Sequence, residues 1–165
     1  MNTENFEKII NEFKDNLLRF AFYRTGSYEN ALDITQEVFI KCFEKKIDFT
    51  DMENPKSYLY KSVYNACIDY SRKQKLDTIS IDKNSLNIRS NELNEIEISE
   101  EYKRINTVLK RIPNEQAEIV RLRIIDGLSF KEISKITDIQ VATAKSRFKY
   151  GINKLKTFYK EKQEV

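Results

Sequence analysis

The sequence predicts an all-α protein built as two small helical domains, and three observations predict it. Apolar residues recur at the three-and-four spacing of a helix almost throughout the chain. Three glycines and two prolines among 165 residues leave little material for tight turns or a β-sandwich. A polar stretch rich in Asn and Ser, "LDTISIDKNSLNIRSNELNEIEISEE", separates the halves and shows no sustained stripe until about Ile96. Charge divides the chain at the same place. Residues 1–76 carry twelve acidic and twelve basic side chains, residues 77–101 a net charge of −5, and residues 102–165 a net charge of +8, within a total of +3. The expected organisation is a first domain over 1–76, an acidic flexible linker over 77–101 and a second domain over 102–165, with the basic, partner-seeking surface in the second.

Composition removes several function classes. Histidine is absent, and with it the usual general base, the usual partner of a nucleophilic serine or cysteine, and the commonest zinc ligand. There is no metal-spaced cysteine pair and no glycine-rich phosphate loop, so no catalytic residue, metal site or cofactor is expected. Cys42 and Cys67 fall inside apolar helical patterns and read as core thiols, which fits a reducing cytoplasm. No apolar run approaches the roughly 20 residues of a membrane span, and "MNTENFEKII" lacks the start and apolar core of a signal peptide. A soluble cytoplasmic protein without membrane insertion is expected.

The first informative element is "ALDITQEVFIKCFEKK". On a helix, Ala31, Ile34, Val38 and Cys42 form a buried stripe, widened by Phe39 and Phe43. The opposite face gathers Asp33, Gln36, Glu37, Ile40 and Glu44. It sets carboxylates four residues apart around an exposed isoleucine, an arrangement that does nothing for the helix itself. Spacing alone admits either an ordinary solvated face or a docking surface. The next helix opens at Asn54-Pro55, proline being favoured at the first helical position. Its apolar side is Leu59, Val63, Ala66 and Tyr70; Lys61, Asn65, Asp69 and Arg72 line the other, followed by Lys73 and Lys75.

In the second domain, Pro113 opens a helix that Asp126-Gly127 closes. Ser129 is a natural N-cap with Glu132 completing a capping box, and the short helix through Ile133 and Ile136 stops near Asp138. A long helix starts near Val141. It points Ala144, Phe148, Ile152 and Leu155 inward and Thr143, Ser146, Arg147, Tyr150 and Lys154 outward, flanked by Lys145 and Lys149. A slim leading end followed by hydroxyl and cationic donors is what a helix needs to enter the major groove and hold phosphates. A solvated basic face on a core helix remains the plainer reading of the same residues.

Here the sequence resembles a known family. "LSFKEISKITDIQVATAKSRFKYGINKLK" resembles the region 4 helix-turn-helix of bacterial sigma factors, with Ala117, Ser134, Asp138, Ala142 and Ala144 standing where other residues are more usual. "YENALDITQEVFIKCFEK" resembles region 2.2, and "NPKSYLYKSVYNACIDYSRKQK" resembles regions 2.3 and 2.4. With a linker in place of region 3, the arrangement is similar to the extracytoplasmic-function (ECF) subfamily of the sigma-70 family. The resemblance implies a non-enzymatic subunit that binds core RNA polymerase, directs it to promoters and helps melt them.

It further implies docking on the β′ clamp through Asp33, Gln36, Glu37 and Ile40, and contact with the β flap. Minus-ten DNA would be read by the loop "DFTDMEN" and the following helix, through Phe49, Asp51, Asn54, Tyr58, Lys61, Asn65, Arg72 and Lys73. Minus-thirty-five DNA would meet Thr143, Lys145, Ser146, Arg147, Lys149 and Tyr150. Many family members are held by an anti-sigma factor, which makes such a protein a further partner to expect. The alternative is a helix-turn-helix regulator that binds DNA without joining polymerase, a reading that leaves the acidic face of residues 33–44 unexplained.

Overall fold

The structure, a computed structural model, describes residues 1–77 and 92–164, with backbone alone at 92–95. Seven α-helices and no strand occur among the described residues: α1 Thr3–Thr25, α2 Tyr28–Glu44, α3 Pro55–Asp77, α4 Glu92–Leu109, α5 Asn114–Ile124, α6 Phe130–Thr137 and α7 Val141–Gln163. They fall into two compact units, Met1–Glu95 and Ile96–Val165. Residues 78–91 of the expected linker lie outside the described residues, while 92–101 belong to α4, so helix begins earlier than the onset of the stripe near Ile96 suggests.

In the first unit, α1 packs on α2 and α3, and α2 packs on α3. The side chain of Asn2 caps α1 by accepting from the Asn5 amide, and Gly26, at φ +67°, ends it in the left-handed conformation. Near its C-terminal end α1 buries four consecutive residues, Phe20, Ala21, Phe22 and Tyr23. Contact on several sides, rather than one stripe, explains why the sequence does not single this helix out. Ser27 caps α2, whose predicted stripe of Ala31, Ile34, Val38 and Cys42 is buried as expected. Phe43 is not part of it: the ring is 51% exposed, and Phe39 is half-buried.

Helix α2 ends in a Schellman turn. The Ile47 amide donates to the Cys42 carbonyl at 3.0 Å and the Lys46 amide to that of Phe43 at 2.9 Å, with Lys46 at φ +52° where glycine is usual. The side chain of Asn54 caps α3 through the Ser57 amide at 2.9 Å. On α3, Leu59, Tyr60, Val63 and Cys67 are buried, with the Tyr60 ring edge-on to Phe20 at 5.1 Å. Ala66 and Tyr70, expected on the apolar side, are half-buried, and the Asn30 amide donates to the Tyr70 hydroxyl at 2.6 Å.

The second unit follows its local signals closely. Pro113 precedes α5, Gly127 turns the chain at φ +64°, and both hydrogen bonds of the Ser129–Glu132 capping box are present. Asp138 ends α6 in the left-handed region at φ +56°, and α7 starts at Val141. The fully buried Ile133 and Ile136 seat α6. The core joins Leu109 of α4, Ile112, Ala117 and Val120 with Leu155 of α7; Phe148 and Ile152 pack on it half-buried.

At Gly151, α7 lies close against Gln116 and Val120 of α5. A Cβ there would lie 3.0 Å from Val120 Cγ2 and 3.3 Å from both Gln116 Cβ and Ile112 Cδ1. Alanine ordinarily stabilises a helix interior by ~0.5–1 kcal/mol over glycine, whereas overpacking costs ~1–3 kcal/mol. Packing wins here. Gly151→Ala is expected to lower stability by about 1 kcal/mol in urea titrations, and a gain would show that α7 moves away freely.

Burial raises the pKa of the Cys42 thiol and pushes that of Cys67 up to about 11. Both cysteines are free and buried. At pH 8 they should therefore react with a disulfide reagent only as the chain unfolds, at a rate that climbs with urea. Prompt labelling of both thiols in native buffer would contradict this packing.

Candidate interaction surfaces

The outer face of α2 carries Asp33, Gln36, Glu37 and Glu44, all exposed, together with two large apolar side chains, Ile40 at 56% exposure and Phe43 at 51%. Sequence reasoning missed Phe43 as a surface residue because 100° per residue sets it between the two faces, adjacent to Gln36. Phe43 still touches the core side, edge-on to the Phe6 ring at 5.7 Å. Glu37 bonds Lys41 one turn later at 2.6 Å, and this hydrogen bond, with the cation's charge, lowers the Glu37 pKa. The pair offsets the repulsion within the carboxylate cluster. An apolar centre inside a charged rim is thus presented to solvent.

Between α2 and α3 lies a cleft of about 210 Å³ whose lining includes Lys41, Lys45, Tyr58, Ser62, Asn65 and Asp69. It brings together two of the expected DNA residues, Tyr58 and Asn65, and adds Lys41 of α2 and Lys45, which caps that helix. Arg72 does not join them. It lines a second cleft, of about 240 Å³, with Arg24, Ser71 and Lys75. Lys73 is exposed, Lys61 half-buried, and Asp51 exposed in the loop.

Two loop candidates have other duties. Phe49 is 4% exposed, with its ring stacked on Phe6 at 5.6 Å and edge-on to Tyr58 at 6.2 Å, so it supports the loop from beneath and offers no free face to a base. An aromatic residue in a polar loop reads as a stacking ring only until its burial is known. The side-chain oxygen of Asn54 is taken by the α3 cap.

On α7, Lys145, Ser146, Lys149 and Tyr150 are exposed, Tyr150 at 59%, and Thr143 is half-buried. Arg147 differs from the rest. Its guanidinium bonds Glu115 of α5 at 3.4 Å with the side chain 31% exposed, so a carboxylate already occupies the group expected to hold phosphate. The sequence spacing between 115 and 147 carries no sign of this pairing. Among the described residues no His, Cys, Asp and Glu group could hold a metal ion, and no helix is long and apolar enough to cross a membrane.

Residues 9–76 match the family described as Sigma-70 region 2, and residues 102–155 that described as Sigma-70, region 4. The chain is 30% identical over 152 residues to the RNA polymerase sigma factor SigZ of Bacillus subtilis, spanning 92% of this chain and 85% of SigZ. It is 28% identical over 157 residues to the ECF RNA polymerase sigma factor SigW of the same organism, spanning 88% and 84%. Its fold resembles that of the sigma factor RpoE of Bartonella quintana, solved in complex with the anti-sigma factor NepR. That match has TM-score 0.67 and 21% identity, and covers 95% of this chain and 98% of that one. CnrH, solved with the cytosolic domain of CnrY, matches at TM-score 0.68 and 17% identity over 97% and 90%.

The DNA-binding roles expected of the α7 cations are separable by experiment. In duplex titrations over a range of salt, Arg147→Ala should weaken binding to all sequences alike and flatten the log-log slope by about one unit. Glu115→Gln, which removes the competing carboxylate, should strengthen binding to all sequences. Lys145→Ala should cost ~1–3 kcal/mol on the preferred site and less on scrambled duplex. If slopes and affinities are unchanged for all three, α7 is not the reading helix.

Proposed function

This chain belongs to the sigma-70 family of RNA polymerase sigma factors, in the ECF group, and we propose that its two units divide promoter recognition between them. It is not an enzyme but a transcription initiation factor: it joins core RNA polymerase, directs it to promoters and promotes DNA opening. The alternative of a regulator that never enters polymerase fails, because a helix-turn-helix regulator would not carry the region 2 match over residues 9–76.

The first unit docks on the β′ clamp through Asp33, Gln36, Glu37 and Ile40 and handles the melted minus-ten element. The second unit meets the β flap and reads the minus-thirty-five element with the exposed residues of α7. The observation that carries the clamp assignment is the α2 face, where Ile40 and Phe43 stand exposed amid Asp33, Glu37 and Glu44. A face of that kind costs a free protein solubility and repels itself; against a basic, partly apolar partner both features become favourable. For minus-ten DNA, the cleft with Tyr58 and Asn65 offers a ring, an amide and two lysines to an unstacked base and its phosphates. The complex of RpoE with NepR supports including an anti-sigma factor among the partners, and the cytoplasm is the compartment that such partners imply.

Asp33→Lys combined with Glu37→Lys should abolish co-purification with core polymerase while the helical circular dichroism is kept, since both side chains are exposed. Retention of polymerase at wild-type strength would overturn the clamp assignment.

A further inference from the structure

The loop that joins α2 to α3 is held from below by the first two turns of α1. Phe49 is buried face to face on Phe6, ring centroids 5.6 Å apart and planes 20° from parallel, and Phe6 is itself 8% exposed. The side-chain amide of Asn5 donates to Thr50 Oγ1 at 3.2 Å. Within the loop, the Thr50 amide donates to Asp48 Oδ1 at 2.9 Å, and the Thr50 hydroxyl bonds the same carboxylate, lowering its pKa. The ends of the loop are fixed independently, by the Schellman turn at Lys46 and by the Asn54 cap. Between Thr50 and that cap the loop exposes Asp51 and Glu53. Their placement therefore depends on residues more than forty positions earlier in the chain, on Asn5 and Phe6 together with the Met1 amino group, which lies 3.6 Å from Asp48 Oδ2.

We propose that Asn5 and Phe6 are positioning residues for minus-ten base selection: they set where the 50–53 backbone presents its polar groups to the unstacked base, without touching the DNA. The inference rests on the reading that this loop faces the minus-ten element. Its physical basis is that base discrimination by hydrogen bonding is lost when donors and acceptors shift by a fraction of an ångström, whereas polymerase docking through α2 is not. Thr50 is the hinge of the device, because its amide and hydroxyl serve the loop's own turn while its oxygen accepts the only side-chain hydrogen bond described from α1 to the loop.

The experiment is run-off transcription by core polymerase with the full chain, on promoters in which each minus-ten position carries each of the four bases. Asn5→Ala and Thr50→Val should reduce the ratio of best to worst base at one or two positions by about fivefold, the size of one hydrogen bond's net contribution. Thr50→Ser, which keeps the hydroxyl, should restore the wild-type profile. Phe6→Leu should flatten the same positions, and Asn5→Ala carries the test if Phe6→Leu does not fold. A merely structural role would lower transcription from all promoters in proportion to lost thermal stability and leave the ratios alone; that result overturns the proposal. Asp51→Ala separates the two readings. If it alters the base profile while Asn5→Ala and Thr50→Val do not, the positioning inference fails and the loop keeps its role. If none of the variants alters the profile, the loop is not a base reader and both readings fall.

Discussion

Each unit has room for one layer of core, so that, apart from the C-terminal end of α1, its helices bury one face and leave the other to solvent. That constraint shapes the whole molecule. Helix α2 spends Ala31, Ile34, Val38 and Cys42 on packing and has an acidic, partly apolar face left over. Helix α7 spends Ala144, Gly151 and Leu155 and has Lys145, Ser146, Lys149 and Tyr150 left over. Because the buried face fixes the rotation of each helix, the residues offered to a partner are decided by the packing behind them.

In the second unit that packing is set by distance of approach. Gly151 lets α7 lie against Ile112, Gln116 and Val120, and this brings Arg147, one turn away, within reach of Glu115. The ion pair is open to solvent on its Glu115 side, which is 75% exposed, and contributes little to stability. Its effect is on availability: a guanidinium held by a carboxylate must be released before it can hold a phosphate. On the proposed reading, Glu115 would lower the affinity of α7 for any DNA equally and leave sequence preference to Lys145 and Ser146 nearer its leading end.

The sequence made legible what is local. The capping box at Ser129, the left-handed Asp138, the stripe of α2 and the start of α3 at Asn54-Pro55 each rest on a few neighbouring residues, and each stands where expected. What depends on contacts between distant residues was not legible. The burial of Phe49 requires Phe6, and the capture of Arg147 requires Glu115. Helix α1 escaped notice because its C-terminal end is buried on several sides, so that Phe20 to Tyr23 form a run and not a stripe. The family resemblance supplied the roles of the surfaces, yet it could not say which of the matching side chains are free to act.

This bears on how promoter preference is encoded. If loop residues alone determined the base, preference could be transferred by exchanging residues 48–54. Here the middle of that segment is seated on α1 through Phe49 and Thr50, and its last residue caps α3. The same loop on a different α1 would lose the contacts that seat Phe49 and Thr50 beneath Asp51. On the proposed reading, preference is a property of loop and platform together, and a loop carried into another sigma factor should keep its own specificity only when the Asn5 and Phe6 contacts travel with it.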